Sequence, residues 1–419
     1  MYSGVSGLLT HQQKMDVIGN NIANVNTTAF KSSNIVFEEV FSQLMSSATQ
    51  PTQDGRGGTN PQQIGLGVSI GNISTNMSKG SIQATDNPND LAIDGEGFFV
   101  VTDGSGVYYT RAGSFDLDKD GNLVNGKGFK VMGWNKNLTT GNVDTSRPSN
   151  PLDFSNMKMA AKETTELSIF GNISSETKEY DAINDENAIL HNLSIYDSLG
   201  QAHTLTFKFM KTANANEYSL EVTENDSQMN IVAGAIGGTV TFTDDGKLDK
   251  NATTIPQLEI SFTNGARDIT FVSGSITFDQ DRFTQYANST SVKSLQNGYT
   301  SGELETVSIG SDGQVIGQFT NGLQDHVSTI AIASFINPNG LQKIGGNMFV
   351  STWNSGEASI GMATTGERGS VATASLEMSN VDLASEFTEM IVTQRGFQAN
   401  SRIISVSDSL LEELVNLKR

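Results

Sequence analysis

The chain contains no cysteine and only 7 prolines among 419 residues. The lack of cysteine excludes disulfide bonds and thiolate chemistry, although it does not indicate which side of a membrane the protein occupies. No apolar run approaches the ~20 residues that a membrane-spanning helix needs. The first residues also lack the basic and long apolar regions of a Sec signal peptide. We therefore expect a soluble chain with no membrane insertion, and any secretion must use a route that needs no such signal.

Basic residues are also scarce, because 26 Lys and Arg face 46 Asp and Glu and leave a formal net charge of -20. This balance disfavours nucleic acid as a partner, since phosphates require clusters of Lys and Arg. A hydrophobic content of 36% with 42 glycines indicates a turn-rich β protein with modest cores. The length exceeds what one compact core usually holds, so several domains are expected.

The C-terminal segment carries the strongest periodic pattern. Apolar residues recur there every seven positions: Leu383, Met390, Phe397, Ile404 and Leu411. Such a heptad predicts a coiled-coil seam, which is widened by Phe387, Ile391, Ile403, Leu410, Leu414 and Leu417. Ser379 and Asp382 have capping-box spacing, and Lys418 and Arg419 suit a helix C-terminus. The pattern predicts a helix of about forty residues, roughly 60 Å long.

The N-terminus carries a matching pattern with alternating spacings of three and four. Its members are Leu8, His11, Met15, Ile18, Ile22 and Val25. The simplest partner for each terminal helix is the other one. A stripe of this length would otherwise leave an apolar patch exposed, so packing between copies is favoured over packing within one copy. Purely intramolecular packing is the alternative.

Between the helices the sequence becomes rich in strands with Asp-Gly and Gly-x-Gly turns. The predicted fold class is therefore multidomain, with α-helical coiled-coil termini and nested, mainly antiparallel β domains. The predicted domains are an inner helical domain (1–25 with 379–419), a connector containing an amphipathic piece and a long exposed loop (26–75), a discontinuous β domain (76–145 with 291–378) and an inserted outer β domain (146–290).

One segment imitates a calcium site. Asp116, Asp118, Asp120 and Gly121 reproduce the first half of an EF-hand loop, but Lys127 occupies the twelfth position, where Ca²⁺ needs a bidentate Glu. No helical pattern flanks the segment. A β-hairpin turn is therefore the favoured interpretation.

Residues for other chemistry are scattered. His11, His191, His203 and His326 lie in different segments without the spacing of a zinc motif. There is no G-x-S-x-G or Walker A sequence, and a pair of carboxylates in so acidic a chain would not by itself indicate a hydrolase. We predict no catalytic, cofactor-binding or metal site, and no enzyme activity.

Several segments resemble a known family, the bacterial flagellar rod and hook proteins. The paired end signatures are DVIGNNIANVNTTAFK at 16–31 and the segment from SNVDLASEF to LVNLKR at 379–419. Segments similar to the shared β domain are LAIDGEGFFVV at 91–101, YTRAGSFDLDKDGNLVN at 109–125 and the segment at 297–322 that begins NGYTSGELE. The middle insertion shows only a weaker likeness, in IYDSLGQ at 195–201.

The resemblance implies a structural role. Rod proteins of this family are generally shorter and lack a large outer insertion, so the hook branch is favoured, with the distal rod as the alternative and a secreted β-rich adhesin as a third possibility. The resemblance implies an inner coiled coil around a central channel, outer β shells, and a hollow, flexible tubular polymer that couples rod to filament and transmits torque. His11 would then face the junction of the two terminal helices or the polar channel.

The same resemblance implies the partners and the location. The partners would be further copies of the chain, the distal rod protein, the hook cap, the hook-filament junction protein and the flagellar type III export apparatus, which would read the N-terminal region. The expected location is extracellular, in the hook or basal body of the flagellum.

Overall fold

The computed structural model describes most of the chain. The described residues are 2–51, 57–137, 143–146, 149–155, 157–183, 186–224, 226–232, 237–255, 257–272 and 274–417. Within them the protein is mostly β, with a long helix near each end. The prediction of terminal helices around a β body is therefore confirmed.

The terminal helices are α1, Tyr2–Ala23, and α2, Leu383–Asn416. The side chain of Asp382 caps α2 by accepting a hydrogen bond from the backbone N–H of Ala384 at 2.9 Å. The predicted start at Ser379 was therefore wrong. At 34 residues, α2 is about 51 Å long rather than the predicted 60 Å.

The start of α2 is displaced because Asn380 is held outside the helix. Its side chain accepts a hydrogen bond from Ser32 N at 2.8 Å and donates one to Asn76 O at 2.9 Å. A residue bonded in this way to two separate segments is unavailable for the first helical turn. The predicted cationic end at 418–419 lies outside the described residues.

The strands are numbered in chain order. The first group is β1 Ser33–Glu39, β2 Ser42–Ser46, β3 Gln62–Gly65, β4 Val68–Thr75, β5 Ile82–Ala84, β6 Leu91–Asp94, β7 Phe98–Thr102, β8 Val107–Thr110, β9 Phe115–Leu117, β10 Leu123–Asn125, β11 Lys130–Asn135 and β12 Asn150–Pro151. The second group is β13 Lys158–Met159, β14 Leu167–Ser174, β15 Ile189–Tyr196, β16 Ala202–Lys211, β17 Glu217–Glu224, β18 Met229–Ile231, β19 Gly237–Thr241, β20 Leu258–Phe262, β21 Ile269–Phe271, β22 Ile276–Tyr286 and β23 Ser291–Gln296. The third group is β24 Gly302–Ile309, β25 Gln314–Phe319, β26 Gln324–Ile330, β27 Ile332–Ser334, β28 Gln342–Gly345, β29 Met348–Val350, β30 Ser359–Gly361, β31 Ser370–Thr373 and β32 Ser375–Glu377, with a 3₁₀ turn at Pro338–Gly340.

The chain divides into two compact units. Unit 1 contains Met1–Asn156, Val307–Gly317 and Asp325–Arg419, and unit 2 contains Met157–Thr306 and Gln318–Gln324. Unit 2 overlaps the insertion predicted at 146–290 but also takes in later residues.

Unit 1 is built on an antiparallel sheet with the strand order β26-β11-β7-β8-β29-β28. Every residue of β7 is buried, because its run of Phe and Val side chains faces protein on both sides of the sheet. Edge-to-face aromatic contacts fill the core, and the rings of Phe98 and Phe349 have centroids 5.7 Å apart.

Short ladders join this core to the helices. β1 pairs antiparallel with β4, β6 with β31, and β5 with β32. The segment predicted as a long exposed loop instead has paired strands at its two ends. Ser42 of β2 pairs with Gly65 of β3, and Thr49 bridges to Thr59, as in a hairpin. The hairpin residues are almost all exposed, which is why they appear loop-like in sequence.

Unit 2 contains three further sheets. β14 lies between β22, a parallel neighbour, and β23, an antiparallel one. The other sheets follow the orders β15-β16-β17-β19 and β18-β20-β21, both antiparallel. The core lies among these sheets, and its fully buried aromatic residues are Phe207, Phe209, Tyr218, Phe271 and Phe283.

The calcium-like segment is a turn. β9 and β10 pair antiparallel around it, and Asp118 accepts a hydrogen bond from Asn122 N at 2.7 Å. Gly121 has φ +74, a conformation that favours glycine. The prediction of a hairpin turn is confirmed.

Candidate assembly surface

The two terminal helices pack against each other in antiparallel directions. Near the start of α1, a methyl group placed on Gly4 would lie 3.7 Å from Ile404 Cγ1, late in α2. Further along α1, Lys14 Nζ lies 3.1 Å from Glu389 Oε2, early in α2. We call α1 and α2 together the helix pair.

Small and polar residues let the helix pair approach closely. A methyl group on Gly7 would lie 2.7 Å from Asn400 Nδ2, and one on Gly396 would lie 2.7 Å from the ring of His11. Both distances are shorter than normal carbon contacts, so glycine is required unless a neighbour moves. The buried residues of the two helices are Gly4, Gly7, Thr10, Ile18, Asn21 and Thr393. The contact is therefore not a purely apolar seam.

His11 lies in this contact, at the junction of the two helices. Its ring packs edge-on against Phe37 of β1, with centroids 5.5 Å apart, and beside Gly396 of α2. Burial, and secondarily the charge of Lys14, lower the pKa of His11 below its ordinary value. The neutral ring is thus the form that this packing favours.

The C-terminal end of α1 is fixed by one buried amide. Asn21 donates hydrogen bonds to Ser33 O at 2.9 Å and to Glu386 Oε1 at 3.0 Å. It also accepts one from Ser33 N at 3.0 Å. Burial raises the pKa of Glu386, although the bond from Asn21 opposes that shift. Asn21 therefore connects α1, β1 and α2 at one point.

A buried ionic cluster joins the segments that lead into the helix pair. Lys31 Nζ lies 2.6 Å from Glu377 Oε1, and both side chains are almost fully buried. Arg111 Nη1 lies 3.5 Å from the other oxygen of Glu377, and Gly80 N donates to Oε1 at 2.8 Å. Lys31 also donates to Ser78 O at 2.8 Å. The chain following α1 is thus held against the chain preceding α2.

The predicted assembly residues fall into three groups. Ile18 is buried. The half-buried residues are Leu8, Met15, Ile22, Met390, Phe397 and Ile404. The exposed residues are Leu383 and Leu411. The central part of the heptad therefore faces protein within one copy.

The flanking apolar residues of α2 point outward. We call this set the outer stripe; it consists of Phe387, Ile391, Ile403, Leu410, Leu414 and Leu417, each at least half exposed. Beyond Ile404, which packs near Gly4, α2 continues through 405–416 for about 18 Å. Three outer-stripe residues lie in or just after this extension.

Sequence reasoning missed the polar part of the contact. Gly7, Gly396 and Asn400 were not predicted as packing residues, because a heptad search counts only apolar positions. Pairs of glycines within predicted helices could have indicated close approach. Lys31 and Glu377 gave no signal, because they are 346 positions apart in sequence.

The four histidines have separate surroundings. Each ring nitrogen of His203 lies near a carboxylate oxygen, 2.7 Å from Asp226 and 3.2 Å from Asp197. His191 contacts Ser294 Oγ at 3.0 Å, and His326 contacts Ser328 O at 2.9 Å. These polar contacts are those of structural side chains.

Among the described residues, no helix combines the length and the apolar composition that crossing a bilayer requires.

Four family models match the chain. They are described as the flagella basal body rod protein (residues 1–31), the flagellar hook protein FlgE/F/G D1 domain (92–169), the flagellar basal body protein FlaE D2 domain (177–299) and the flagellar basal body rod FlgEFG protein C-terminal (372–417). The two terminal models cover the whole of α1 and α2.

Individual relatives match over nearly their full lengths. The flagellar hook protein FlgE of Borreliella burgdorferi is 38% identical over 447 aligned residues, covering 100% of this chain and 99% of the relative. The FlgE of Treponema pallidum is 35% identical with the same coverage. The flagellar basal-body rod protein FlgG of Bacillus subtilis is 32% identical, covering 100% of this chain and 98% of the relative.

These matches include the terminal helices, the β body and the insertion. The family is structural rather than enzymatic and belongs to the bacterial flagellum. The chain is a member of the flagellar hook protein family.

Proposed function

We propose that this chain is the repeating subunit of a hollow, flexible tubular polymer, the flagellar hook, which couples the rod to the filament and transmits torque. In this proposal the helix pairs of neighbouring copies form an inner coiled coil around a channel. The β units form the outer layers.

The observation that carries the proposal is the outer stripe on α2. Burying one large apolar side chain stabilises an assembly by about 1.5–3 kcal/mol, and the outer stripe presents several along one helix. Four of them, Ile403, Leu410, Leu414 and Leu417, recur at spacings of seven, four and three and so share one face, and soluble monomers rarely keep such an apolar face exposed. Neighbouring copies offer the simplest cover, because one contact repeated by a fixed rotation and rise produces a helical polymer.

The ionic cluster of Lys31, Glu377 and Arg111 fits a part that carries load. Its buried charges resist rearrangement, since separating a buried pair leaves an uncompensated charge. The cluster fixes the segments where both helices leave the β body. Torque applied to the helix pair would therefore reach the β sheet of unit 1 through a stiff connection.

The family relationship suggests further partners. They are the distal rod protein at one end of the polymer, the hook cap during growth, the hook-filament junction protein at the other end, and the flagellar type III export apparatus, which would recognise the N-terminal region.

The second candidate function is that of the distal rod protein. The Bacillus subtilis relative named as a rod protein favours it, because that protein matches this chain along its whole length. Electron microscopy of the concentrated protein separates the two. Curved tubes with a central channel support the hook, straight tubes favour the distal rod, and persistent monomers contradict both.

A substitution in the outer stripe tests the inner contact. Leu414 is 61% exposed and lies beyond Ile404, the residue of α2 that packs near Gly4 of α1. Leu414→Asp should therefore leave the monomer folded. We expect it to abolish polymer formation, because a carboxylate would be buried between copies without a partner. Sedimentation of concentrated samples measures the polymer, and far-UV circular dichroism checks the fold.

Leu414→Met is the matched control, since it keeps an apolar side chain of similar volume. It should polymerise nearly as well as the wild type. If Leu414→Asp sediments like the wild type, the outer stripe is not the assembly contact.

A further inference from the structure

Two apolar side chains stand fully exposed on unit 1, away from the terminal helices in sequence. Trp353 has a relative exposure of 104% and Ile336 one of 94%. Trp353 lies in the turn at 352–355, and Ile336 precedes the 3₁₀ turn Pro338–Gly340. We call these two side chains and their two turns the knob.

Hydrogen bonds hold the two turns of the knob together. Thr352 Oγ1 donates to Gly340 O at 2.6 Å, and Asn337 Nδ2 donates to Asn354 O at 3.0 Å. Within the second turn, Thr352 N donates to Ser355 Oγ at 2.9 Å, and Ser355 is fully buried. These hydrogen bonds fix the conformation of the turn that carries Trp353.

The base of the knob is anchored in the hydrophobic core. Phe335, immediately before Ile336, is 6% exposed, and its ring lies 4.8 Å from that of Tyr109. Leu341, immediately after the 3₁₀ turn, is also buried. An exposed tryptophan on so firm a support loses little conformational freedom when it is covered, which favours binding.

The knob is uncharged. Residues 327–342 and 344–356 contain no Asp, Glu, Lys or Arg, although 17% of the chain is charged. Lys343, between them, has its ammonium group bonded to Lys31 O at 3.0 Å. A strongly basic partner would gain nothing from such a patch. A second copy with a net charge of -20 would instead meet least repulsion there.

We infer that the knob is a contact surface whose occupant is a second copy of this chain. Tryptophan is enriched at interface hot spots and charged residues are depleted from interface centres, and Trp353 stands fully exposed on a support without charged residues. The contact would be heterologous, with the knob of one copy against a different face of the next, as an open polymer requires. This inference rests on the proposed function, because it assigns an additional contact within that polymer.

Intrinsic fluorescence tests the inference in the full-length chain. The chain has two tryptophans, and Trp134 is only 5% exposed, so acrylamide should quench mainly Trp353 in the monomer. In the polymer we expect the emission of Trp353 to shift to shorter wavelength and its quenching to be lost. Subtracting the spectrum of Trp353→Phe isolates the signal.

A polymer in which Trp353 stays as accessible as in the monomer would overturn the inference and leave the proposed function intact. Failure of the wild-type chain to polymerise would overturn both. The two failures are therefore distinguishable.

Polymerisation thresholds provide a second measurement. Trp353→Ser should raise the critical concentration about tenfold or more, as loss of a hot-spot tryptophan does. Trp353→Phe, which keeps an aromatic ring, should raise it much less. Equal thresholds for wild type and Trp353→Ser would contradict the inference.

Discussion

Glu377 is a carboxylate with no exposed surface that faces two cations. Lys31 lies 2.6 Å from one of its oxygens and Arg111 lies 3.5 Å from the other. Burial lowers the pKa of Lys31, and the hydrogen bond and charge of Glu377 oppose that shift. The charged state of this cluster therefore depends on Glu377.

Replacing Glu377 with Gln should strongly destabilise unit 1. The substitution keeps the shape but leaves buried cations without a counter-charge, which costs about 3–5 kcal/mol. We expect a lower urea midpoint when unfolding is followed by tryptophan fluorescence, because Trp134 and Trp353 both belong to unit 1.

The exposed pair of Lys79 and Asp94 provides the control. Its side chains are 41% and 55% exposed, so Asp94→Asn should cost at most about 1 kcal/mol. Equal shifts for Asp94→Asn and Glu377→Gln would show that the buried cluster contributes no more than a surface pair.

The difference between local and distant partners explains which residue roles could be predicted. The turn at Asp118 was predictable because all the evidence lies within one short segment. That segment holds both the calcium-like aspartates and Lys127, which occupies the position where a calcium site needs Glu. The partnership of Lys31 and Glu377 was not predictable, because nothing near either residue indicates which distant charge it will meet. A lysine near a predicted helix end is usually solvent-exposed.

The helix pair shows the same limit for whole elements. Heptad spacing predicted two terminal helices, and both are present. It did not predict that glycines set their distance, because Gly7 and Gly396 contribute no apolar side chain. It also could not give the start of α2, which depends on bonds from Asn380 to residues more than 300 positions earlier.

The hairpin of β2 and β3 was missed for a related reason. The segment is rich in Gly, Gln and Thr, and its strands bury almost no side chains. A strand without a buried face lacks the alternating pattern by which strands are recognised. Backbone pairing such as Thr49 with Thr59 leaves no mark in composition.

Glycine substitutions in the two helices should act in opposite directions. A methyl group at Gly396 would lie 2.7 Å from the ring of His11. The ring of Phe37 packs against the same imidazole and limits how far it can move away. Overpacking costs about 1–3 kcal/mol, which exceeds the gain of about 1 kcal/mol in helix propensity. We therefore expect Gly396→Ala to lower the thermal midpoint of the far-UV circular dichroism signal.

Gly19→Ala is the matched comparison in α1. A methyl group at Gly19 meets nothing within 4 Å, so alanine should stabilise the helix by roughly 0.5–1 kcal/mol. Far-UV circular dichroism during heating measures both variants. If Gly396→Ala is stabilised as much as Gly19→Ala, the close approach of His11 does not constrain the helix pair.

At the scale of the whole molecule, each of the two units has a hydrophobic core among the residues that the structure describes. One lies in unit 1 around Phe98 and Phe349, and the other lies in unit 2 around Phe207 and Phe283. The sequence indicated an insertion, because the middle segment departs from the family signatures at both ends. The sequence did not give the limits of the insertion. Residues 318–324 belong to unit 2, but their sequence resembles that of the strands before and after them, which belong to unit 1.

The two cores can be followed separately. Unit 2 contains no tryptophan, so tryptophan fluorescence reports unit 1 alone, whereas far-UV circular dichroism reports both units. A substitution confined to unit 2 should therefore change the circular dichroism transition without changing the fluorescence transition. Coincident probes are the usual test of a single cooperative transition.

Substitution of Asp226, in unit 2, tests at different pH values whether the two units unfold separately. Hydrogen bonds from Gln228 N and then His203 lower the pKa of its carboxyl group below the ordinary 3.8. A lowered pKa in the folded state contributes stability above the ordinary pKa, and this stability is lost as the pH falls through the lowered value. Acid should therefore remove the contribution of Asp226 to unit 2.

Asp226→Asn cannot ionise, so it should be less stable than the wild type near neutral pH, and the difference should shrink as the pH falls below about 4. Urea unfolding followed by circular dichroism at several pH values measures that difference. The fluorescence transition of unit 1 should be the same in both proteins at each pH. A difference independent of pH would contradict the ionic role of Asp226. A fluorescence transition that moves with the circular dichroism would instead show that the two cores unfold as one, because a change in unit 2 would then have reached a signal that arises only in unit 1.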